Sequence, residues 1–207
     1  MKKRLLLILM TAFAVCWQVN AGPVSCYGKL QVNGKDIIGS KTNCIVQVKG
    51  VSMGWSNTGS LSAGYFNANT VKAMVDLWNA EIIRVPLGIG SNGGYPGSLA
   101  NKTRVENVVD AAIAKDVYVI IDWHSHSAHN EIEMIEAKAF FSEMAEKYKN
   151  NDHVIFEIYN EPLSTDWNTI KSYADEIVVA IREHSDNLIL VGTRKYSQCL
   201  HDIKTRL

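Results

Sequence analysis

The sequence lacks an excess of charge of either sign, and after residue 15 it lacks any long apolar run. Lysine and arginine together number 21, as do aspartate and glutamate. No basic patch is visible, which argues against nucleic acid as a partner. A run of about 20 apolar residues, which a membrane-spanning helix needs, is also missing. Apolar residues nevertheless make up 47% of the chain, so it can bury a core.

The amino terminus has the pattern of a secretory signal peptide. Basic residues at positions 2–4 precede an apolar run over residues 5–15, and small residues then lead to a cleavage site predicted after Ala21. The alternatives are a buried helix or an anchor, but the run is short for an anchor. We therefore predict a signal peptide over residues 1–21 and one secreted domain, extracellular or periplasmic, over residues 22–207. The mature domain would carry a charge of about −3 and would not be held in a membrane.

Cysteine is scarce, and the mature domain would hold an odd number. Of the four cysteines, Cys16 lies in the predicted signal peptide. In an exported protein, Cys26 and Cys44 could form a disulfide across the intervening turn. They could equally be two separate thiols, and the sequence leaves both possibilities open. Cys199 has no evident partner.

Strand and helix patterns alternate along a single domain that starts with a small hairpin. The Asn33-Gly34 pair predicts the hairpin turn. Apolar runs rich in β-branched residues predict five core strands, over residues 44–51, 82–86, 117–124, 154–159 and 188–192. Amphipathic patterns predict four helices, over residues 70–78 (capped by Asn69 or Thr70), 105–115, 132–148 and 167–184. This alternation is typical of βαβ units, so we predict an α/β fold with a parallel sheet.

The clearest functional signal is the stretch Val-Ile-Phe-Glu-Ile-Tyr-Asn-Glu-Pro at residues 154–162. Pro162 cannot donate to a strand ladder and disfavours helical geometry at Glu161, so the strand should stop there. An amide and a carboxylate, Asn160 and Glu161, would then lie at the carboxyl end of a buried strand. Open α/β sheets and β/α barrels place their chemistry at that edge. The ordinary alternative is a capping asparagine and a surface glutamate in a loop.

Other predicted strand ends also carry polar side chains. Arg84 lies in the second strand, His124 ends the third, and Trp55 and Asn57 follow the first. Arg84 could simply pair with a structural carboxylate, and His124 could be a satisfied core histidine. Convergence at one sheet edge favours a functional site, because buried charges are costly without partners.

A carboxylic acid beside an apolar, aromatic wall can act as a general acid, and Glu161 suits that role. Asn160 could hold a sugar hydroxyl, a contact that strengthens in a glycosidic transition state. Arg84 and His124 would supply positioning and electrostatics.

Three histidines within six residues, at positions 124, 126 and 129, allow a zinc site as an alternative, with Asp122 as a further ligand. The spacing matches no strong zinc motif such as His-Glu-x-x-His. We therefore predict no metal and no cofactor. The expected arrangement is one inward-facing histidine and two histidines at the rim of a cleft.

Several segments resemble glycoside hydrolase family 5, the cellulase family, and in particular its secreted bacterial endo-β-1,4-glucanases. The most specific is Ile-Tyr-Asn-Glu-Pro at residues 158–162. The other matching segments are residues 54–57, 84–86, 121–124 and 191–198. They occur in order between about residues 27 and 198, so the resemblance is more specific than any single motif.

The resemblance implies a (β/α)8 TIM barrel and retaining hydrolysis of internal β-1,4-glucosidic bonds by two glutamates. It implies that Glu161 is the catalytic acid/base at the end of strand four. The positions that match substrate-binding residues of the family are Asn160, His124, Arg84, Trp55 and Asn57. A β-glucan polysaccharide such as cellulose is the expected partner.

The chain departs from the family because only about five β/α units are predicted, whereas a closed barrel has eight and typically about 250 residues. The family's nucleophilic glutamate ends strand seven, which this chain lacks. Glu157 and Asp122 lie on neighbouring strands, but the resemblance gives neither that role. The tail over residues 199–207 does not resemble the family. A truncated or frameshifted reading frame would produce such a break in the resemblance. We predict a domain truncated at its carboxyl end, with little or no activity.

Other functions remain open at this stage. The chain could be a non-catalytic remnant whose aromatic residues, Trp55, Trp123 and Tyr159, hold a glucan without cutting it. It could be a family 5 mannanase or xylanase, or a zinc hydrolase that uses the three histidines. In each case the unpaired strand edges of an incomplete barrel predict self-association.

Overall fold

A computed structural model describes residues 21–90 and 92–203, and the predicted signal peptide therefore lies almost wholly outside the described residues. The described chain contains a two-stranded hairpin and a five-stranded sheet. None of the helices in these two ranges combines the length and the apolar character that crossing a membrane requires.

The helices and strands follow one another in the predicted alternation. In chain order they are α1 (Pro23–Tyr27), β1 (Leu30–Asn33), β2 (Asp36–Gly39), β3 (Gly50–Ser52), α2 (Ala68–Trp78), β4 (Ile82–Gly88), α3 (Ala100–Ala114), β5 (Tyr118–His124), α4 (Glu131–Lys147), β6 (Val154–Glu157), α5 (Trp167–Arg182), β7 (Ile189–Leu190) and α6 (Arg194–Ser197). Short 3-10 turns cover Leu61–Tyr65 and Leu200–Asp202.

The large sheet is entirely parallel and has the strand order β3-β4-β5-β6-β7. Five parallel strands in sequence order confirm the predicted α/β fold. The hairpin is also confirmed, because β1 and β2 pair antiparallel from Leu30 and Gly39 to Asn33 and Asp36. Within the described residues, β3 and β7 are the two edges of the sheet.

The two faces of the sheet differ in chemistry because side chains alternate along each strand. The outer face packs against the helices and contributes fully buried residues to the main core: Ile83, Val85, Ile121, Trp123 and Phe156. The inner face is apolar near the amino ends of the strands, where Ile82, Ile120 and Ile155 pack against α1 and the hairpin. Further along the same face come Arg84, Asp122 and Glu157. The inner face therefore turns polar toward the carboxyl ends.

Several boundaries differ from the sequence-based prediction because neighbouring strands set them. The first core strand begins at Gly50 rather than residue 44; before it, the chain runs beside the hairpin, with an isolated bridge from Ile45 to Ile38. β4 continues past Pro86 to Gly88, because its last two residues still pair with β5. One missing N–H therefore does not end the strand.

Two further predictions need correction. β6 ends at Glu157, two residues earlier than residue 159. The cap of α2 is Asn67, whose side chain accepts a hydrogen bond from the Thr70 N–H at 3.1 Å, and not Asn69 or Thr70. An N-cap side chain has to precede the first helical residue, and α2 begins at Ala68.

All three cysteines of the described chain are free thiols. Cys26 and Cys44 are exposed, and Cys199 is buried. Of the two possibilities left open by the sequence, the structure therefore has separate thiols.

Candidate active site

Strand register brings the polar side chains of β4, β5 and β6 together. Asp122 is aligned with Pro86 on one side and with Glu157 on the other. Because β-strand side chains alternate, Arg84, Asp122, His124 and Glu157 project from the same inner face. This confirms that polar groups converge near the carboxyl ends of the strands.

Arg84 lies at the centre of this cluster, and its guanidinium contacts four side chains: Glu157, Asp122, Asn160 and, at 3.4 Å from Nη1, the hydroxyl of Ser52. Nε and Nη2 donate to the two carboxylate oxygens of Glu157, at 2.6 and 2.9 Å. Nη2 also lies 2.8 Å from Oδ2 of Asp122 and donates to Oδ1 of Asn160 at 2.7 Å. The structural alternative for Arg84, an ion pair with a carboxylate, is therefore realised. The same side chain also fixes the orientation of Asn160.

Burial and charge act against each other in this cluster. Burial works to lower the pKa of Arg84, but the Glu157 hydrogen bonds and the charges of Asp122, Glu157 and Glu161 leave it raised. Burial raises the pKa of Glu157 although Arg84 opposes the shift. Burial also raises the pKa of the fully buried Asp122 to about 8, against the effect of Arg84 and with a smaller contribution from Glu161.

His124 joins the cluster through Asp122. Its Nδ1 lies 2.6 Å from Asp122 Oδ2, and only 12% of its side chain is exposed. Burial, assisted by the charge of Arg84, lowers the pKa of His124 to about 4. The edge of Trp55 covers the ring, with 5.0 Å between ring centroids. His124 is therefore a largely buried imidazole whose lowered pKa favours the neutral form, and it lies beside an aromatic residue at the mouth of the site.

Glu161 lies at the open side of the same cluster. Its side chain is 43% exposed, so the aromatic wall expected from the sequence does not close over it. His126 lies beside it, with Nδ1 at 3.0 Å from the Glu161 carbonyl oxygen and 4.0 Å from Oε2. Both groups are accessible from solvent.

Two of the three aromatic residues expected in the cleft are elsewhere. Trp123 is fully buried in the core, where it packs against Tyr95, Phe140 and Phe141. Tyr159 is also fully buried, and its hydroxyl donates to the His126 carbonyl at 3.0 Å. Trp55, at 46% exposure, is the one of the three that faces solvent.

The loop after β3 places Trp55 and Asn57 beside the cluster. Ser56 Oγ accepts a hydrogen bond from the Gly88 N–H at 3.0 Å, which ties this loop to the end of β4. A Cβ on Gly88 would lie 1.4 Å from Asn57 Oδ1, so only glycine allows this close approach. Trp55 and Asn57 line an open pocket of about 540 Å³ with Asn92 and Gly93.

The three histidines do not converge on a common point. Nδ1 of His124 contacts Asp122, that of His126 contacts the Glu161 carbonyl, and that of His129 lies 2.6 Å from the Tyr159 hydroxyl. The zinc alternative therefore has no support from their geometry. Over residues 21–90 and 92–203, the grouped donors that could hold a metal are Cys199, His201 and Asp202. Arg194 already binds both oxygens of Asp202, so a cation there would compete with a guanidinium.

Sequence reasoning missed the structural importance of Asp122 and Glu157, which hold Arg84 and His124. The alternation of β5 contained part of the signal, because Asp122 and His124 are two residues apart and must share a face. The pairing of Glu157 with Arg84 depends on the register between strands. A single sequence does not give that register.

A family model, "Cellulase (glycosyl hydrolase family 5)", matches residues 34–206. The match continues past Gln198, so the prediction that the resemblance ends there is wrong. Endoglucanase Z of Dickeya dadantii is 49% identical over 173 residues, which cover 82% of this chain and 39% of that protein. Endoglucanase A of Butyrivibrio fibrisolvens is 35% identical and is matched over 42% of its length. The chain thus spans less than half the length of these relatives.

Comparison with solved structures also relates this chain to endoglucanases. A structure from Cytophaga hutchinsonii has a TM-score of 0.81 and 40% identity, with 87% of this chain and 58% of that chain covered. The catalytic domain of Thermobifida fusca endoglucanase Cel5A, in a complex with cellotetraose, has a TM-score of 0.78 and 31% identity, with coverage of 89% and 60%. The five parallel strands are therefore part of a (β/α)8 barrel, and the chain belongs to the cellulase family, glycosyl hydrolase family 5.

Proposed function

We propose that these 207 residues are the amino-terminal portion of an exported endo-β-1,4-glucanase, and that their site binds a β-1,4-glucan. One observation carries the proposal. The Arg84 cluster, the open carboxylate Glu161 and the exposed ring of Trp55 meet at the carboxyl edge of the parallel sheet. Relatives named endoglucanases and a neighbour bound to cellotetraose support the choice of a glucan.

In the proposed mechanism, Glu161 is the acid/base that protonates the leaving glycosidic oxygen. Its partly exposed side chain leaves room for a sugar on that side. Asn160 would hold a sugar hydroxyl through its side-chain amide nitrogen. The Oδ1 atom of Asn160 already accepts a hydrogen bond from Arg84, whereas its buried Nδ2 has no hydrogen-bond partner within residues 21–90 and 92–203. That N–H group would be satisfied by a bound sugar, and such contacts strengthen in the glycosidic transition state.

A retaining mechanism needs a second carboxylate about 5–5.5 Å from the first. We propose that it lies outside these 207 residues. Asp122 is fully buried, and both oxygens of Glu157 accept hydrogen bonds from Arg84. Neither is therefore well placed to attack a sugar. We expect the 207-residue chain to bind glucan with little or no turnover.

Cellotetraose binding, measured by isothermal titration calorimetry, tests the glucan site. Trp55→Ala should weaken binding at least tenfold, because a sugar ring would lose its aromatic platform. Trp78→Ala is the matched control. Trp78 is 63% exposed and ends α2, where it lines a separate pocket with Met53, Tyr65 and Met74, to which Trp55 and Asn57 do not contribute.

Equal affinity in both variants, or no binding by the parent chain, would contradict the proposal. Xylotetraose and mannotetraose, measured in parallel, decide between a glucanase and a family 5 xylanase or mannanase. Tighter binding of either would replace the glucan assignment.

A further inference from the structure

The buried cluster around Arg84 contains more carboxylates than cations. Arg84 shares its single positive charge between two carboxyl groups: Glu157 accepts two hydrogen bonds from the guanidinium, and Asp122 Oδ2 lies 2.8 Å from Nη2. Asp122 is a second carboxyl group in the same pocket, and it has no exposed surface. Its Oδ1 has no hydrogen-bond partner in the described part of the chain. An ionised Asp122 would therefore share one cation with ionised Glu157 and would leave one buried oxygen unsatisfied, which is a costly arrangement.

The short contact between Asp122 Oδ2 and His124 Nδ1, at 2.6 Å, offers a way to avoid that charge. If the pair holds one additional proton, either Asp122 is a neutral acid that donates to Nδ1, or His124 is an imidazolium that donates to the carboxylate. In both arrangements Nε2, on the far side of the ring, carries a hydrogen. If the pair lacks that proton, Nδ1–H donates to the carboxylate and Nε2 is an acceptor.

We propose that the Asp122–His124 pair retains this additional proton at neutral pH, so that His124 Nε2 is a hydrogen-bond donor at the mouth of the site. Asp122 is thus a positioning residue that acts through His124. When the pH rises, the pair loses the proton, and Nε2 changes from donor to acceptor.

The charged and titratable groups around the pair agree with this assignment. Burial raises the pKa of Asp122 to about 8, opposed by Arg84 and assisted by Glu161. Burial and Arg84 lower the pKa of His124 to about 4, with smaller opposing effects of Glu157 and Glu161 and a small further lowering by His126. The neutral acid with a neutral imidazole is therefore the favoured form of the protonated pair.

The consequence for ligands rests on the proposed function. A sugar oxygen next to His124 would accept a hydrogen bond from Nε2–H at neutral pH. Above the pKa of the pair, the same position would instead accept a bond from a sugar hydroxyl. Asp122, which cannot touch the ligand, would thereby decide which groups the site recognises.

Nitrogen-15 NMR of the histidine-labelled 207-residue chain, without ligand, tests the proposal between pH 6.5 and 9.5. The His124 signals are assigned by their loss in His124→Gln. We expect a protonated Nε2 at pH 6.5 that loses its hydrogen to form the Nδ1–H tautomer at an apparent pKa near 8. An Nε2 without hydrogen throughout this range would overturn the proposal.

Asp122→Asn removes the titrating carboxyl group and should abolish the pH response. Asp175→Asn is the control with the same change at an exposed carboxyl group on α5, and it should leave the response intact. A response that survives Asp122→Asn would also refute the proposal. If Asp122→Asn fails to fold, the titration of the parent chain still shows whether His124 Nε2 carries a hydrogen at pH 6.5 and loses it near pH 8. Because no glucan is present, a failure here is distinct from a failure of cellotetraose binding.

Discussion

Asp122 should make the stability of the fold depend on pH, and the expected size of the effect follows from the pair it forms with His124. Burial raises the pKa of Asp122 to about 8 in the folded chain, from 3.8 for an ordinary aspartate. It lowers the pKa of His124 to about 4, from 6.5. An acidic group whose pKa is raised by folding lowers the free energy of unfolding as the pH rises from its unfolded pKa to its folded pKa. A basic group whose pKa is lowered by folding raises the free energy of unfolding as the pH rises from its folded pKa to its unfolded pKa.

Between about pH 4 and 6.5 the two effects cancel, because the folded and unfolded pair hold the same number of protons. Between about pH 6.5 and 8 the unfolded pair has lost both protons, while folded Asp122 keeps one. Over this interval the free energy of unfolding should therefore fall by about 1.4 kcal/mol per pH unit, which is about 2 kcal/mol between pH 6.5 and 8.

Urea denaturation of the parent chain and of Asp122→Asn at pH 6.5 and 8.5 measures this effect. The parent should lose about 2 kcal/mol more than the variant over this interval. Asp175→Asn should behave like the parent, because that carboxyl group is half exposed and pairs with Lys171. A difference between parent and Asp122→Asn below about 0.5 kcal/mol would refute the reasoning, because it would be well under half the expected value.

Further predictions concern the scaffold. Arg84→Ala should lower the unfolding free energy by about 3–5 kcal/mol, because it leaves the largely buried Glu157 carboxylate without its cation; a loss below about 1 kcal/mol in urea denaturation would contradict this. Gly88→Ala should cost about 1–3 kcal/mol, because its Cβ would overlap Asn57, and an unchanged thermal midpoint would argue against it. The edges of β3 and β7 should cause self-association, and a monomer at all concentrations in sedimentation would exclude it. Export should remove residues 1–21, and mass spectrometry of secreted material should show Gly22 at the amino terminus.

The alternation of apolar strands and amphipathic helices was sufficient to predict the order of the fold. The strand ends were harder to predict, because their limits depend on neighbours. Pro86 marks a plausible end in the sequence, yet pairing with β5 carries β4 to Gly88. Residues 44–49 have a strand-like composition, yet β3 begins only at Gly50. Composition alone does not show over which residues a strand has a neighbouring strand to pair with.

The site was predicted in part, and the errors have a common physical cause. Trp123 was expected in the cleft with His124, but adjacent residues of a strand point to opposite faces. Trp123 therefore lies in the helix-side core, and His124 lies in the site. The role of Glu157 as partner of Arg84 depends on three-dimensional register, which one sequence does not contain.

We propose that these 207 residues form a glucan-binding half of a family 5 active site, with Glu161 as acid/base and the second carboxylate elsewhere. Reducing-sugar release from carboxymethylcellulose, compared between this chain and Glu161→Gln, tests it most directly. We expect no release above background from either protein, together with binding of cellotetraose by the parent. Release by the parent chain that disappears in Glu161→Gln would contradict it, because the chain would then already contain its nucleophile.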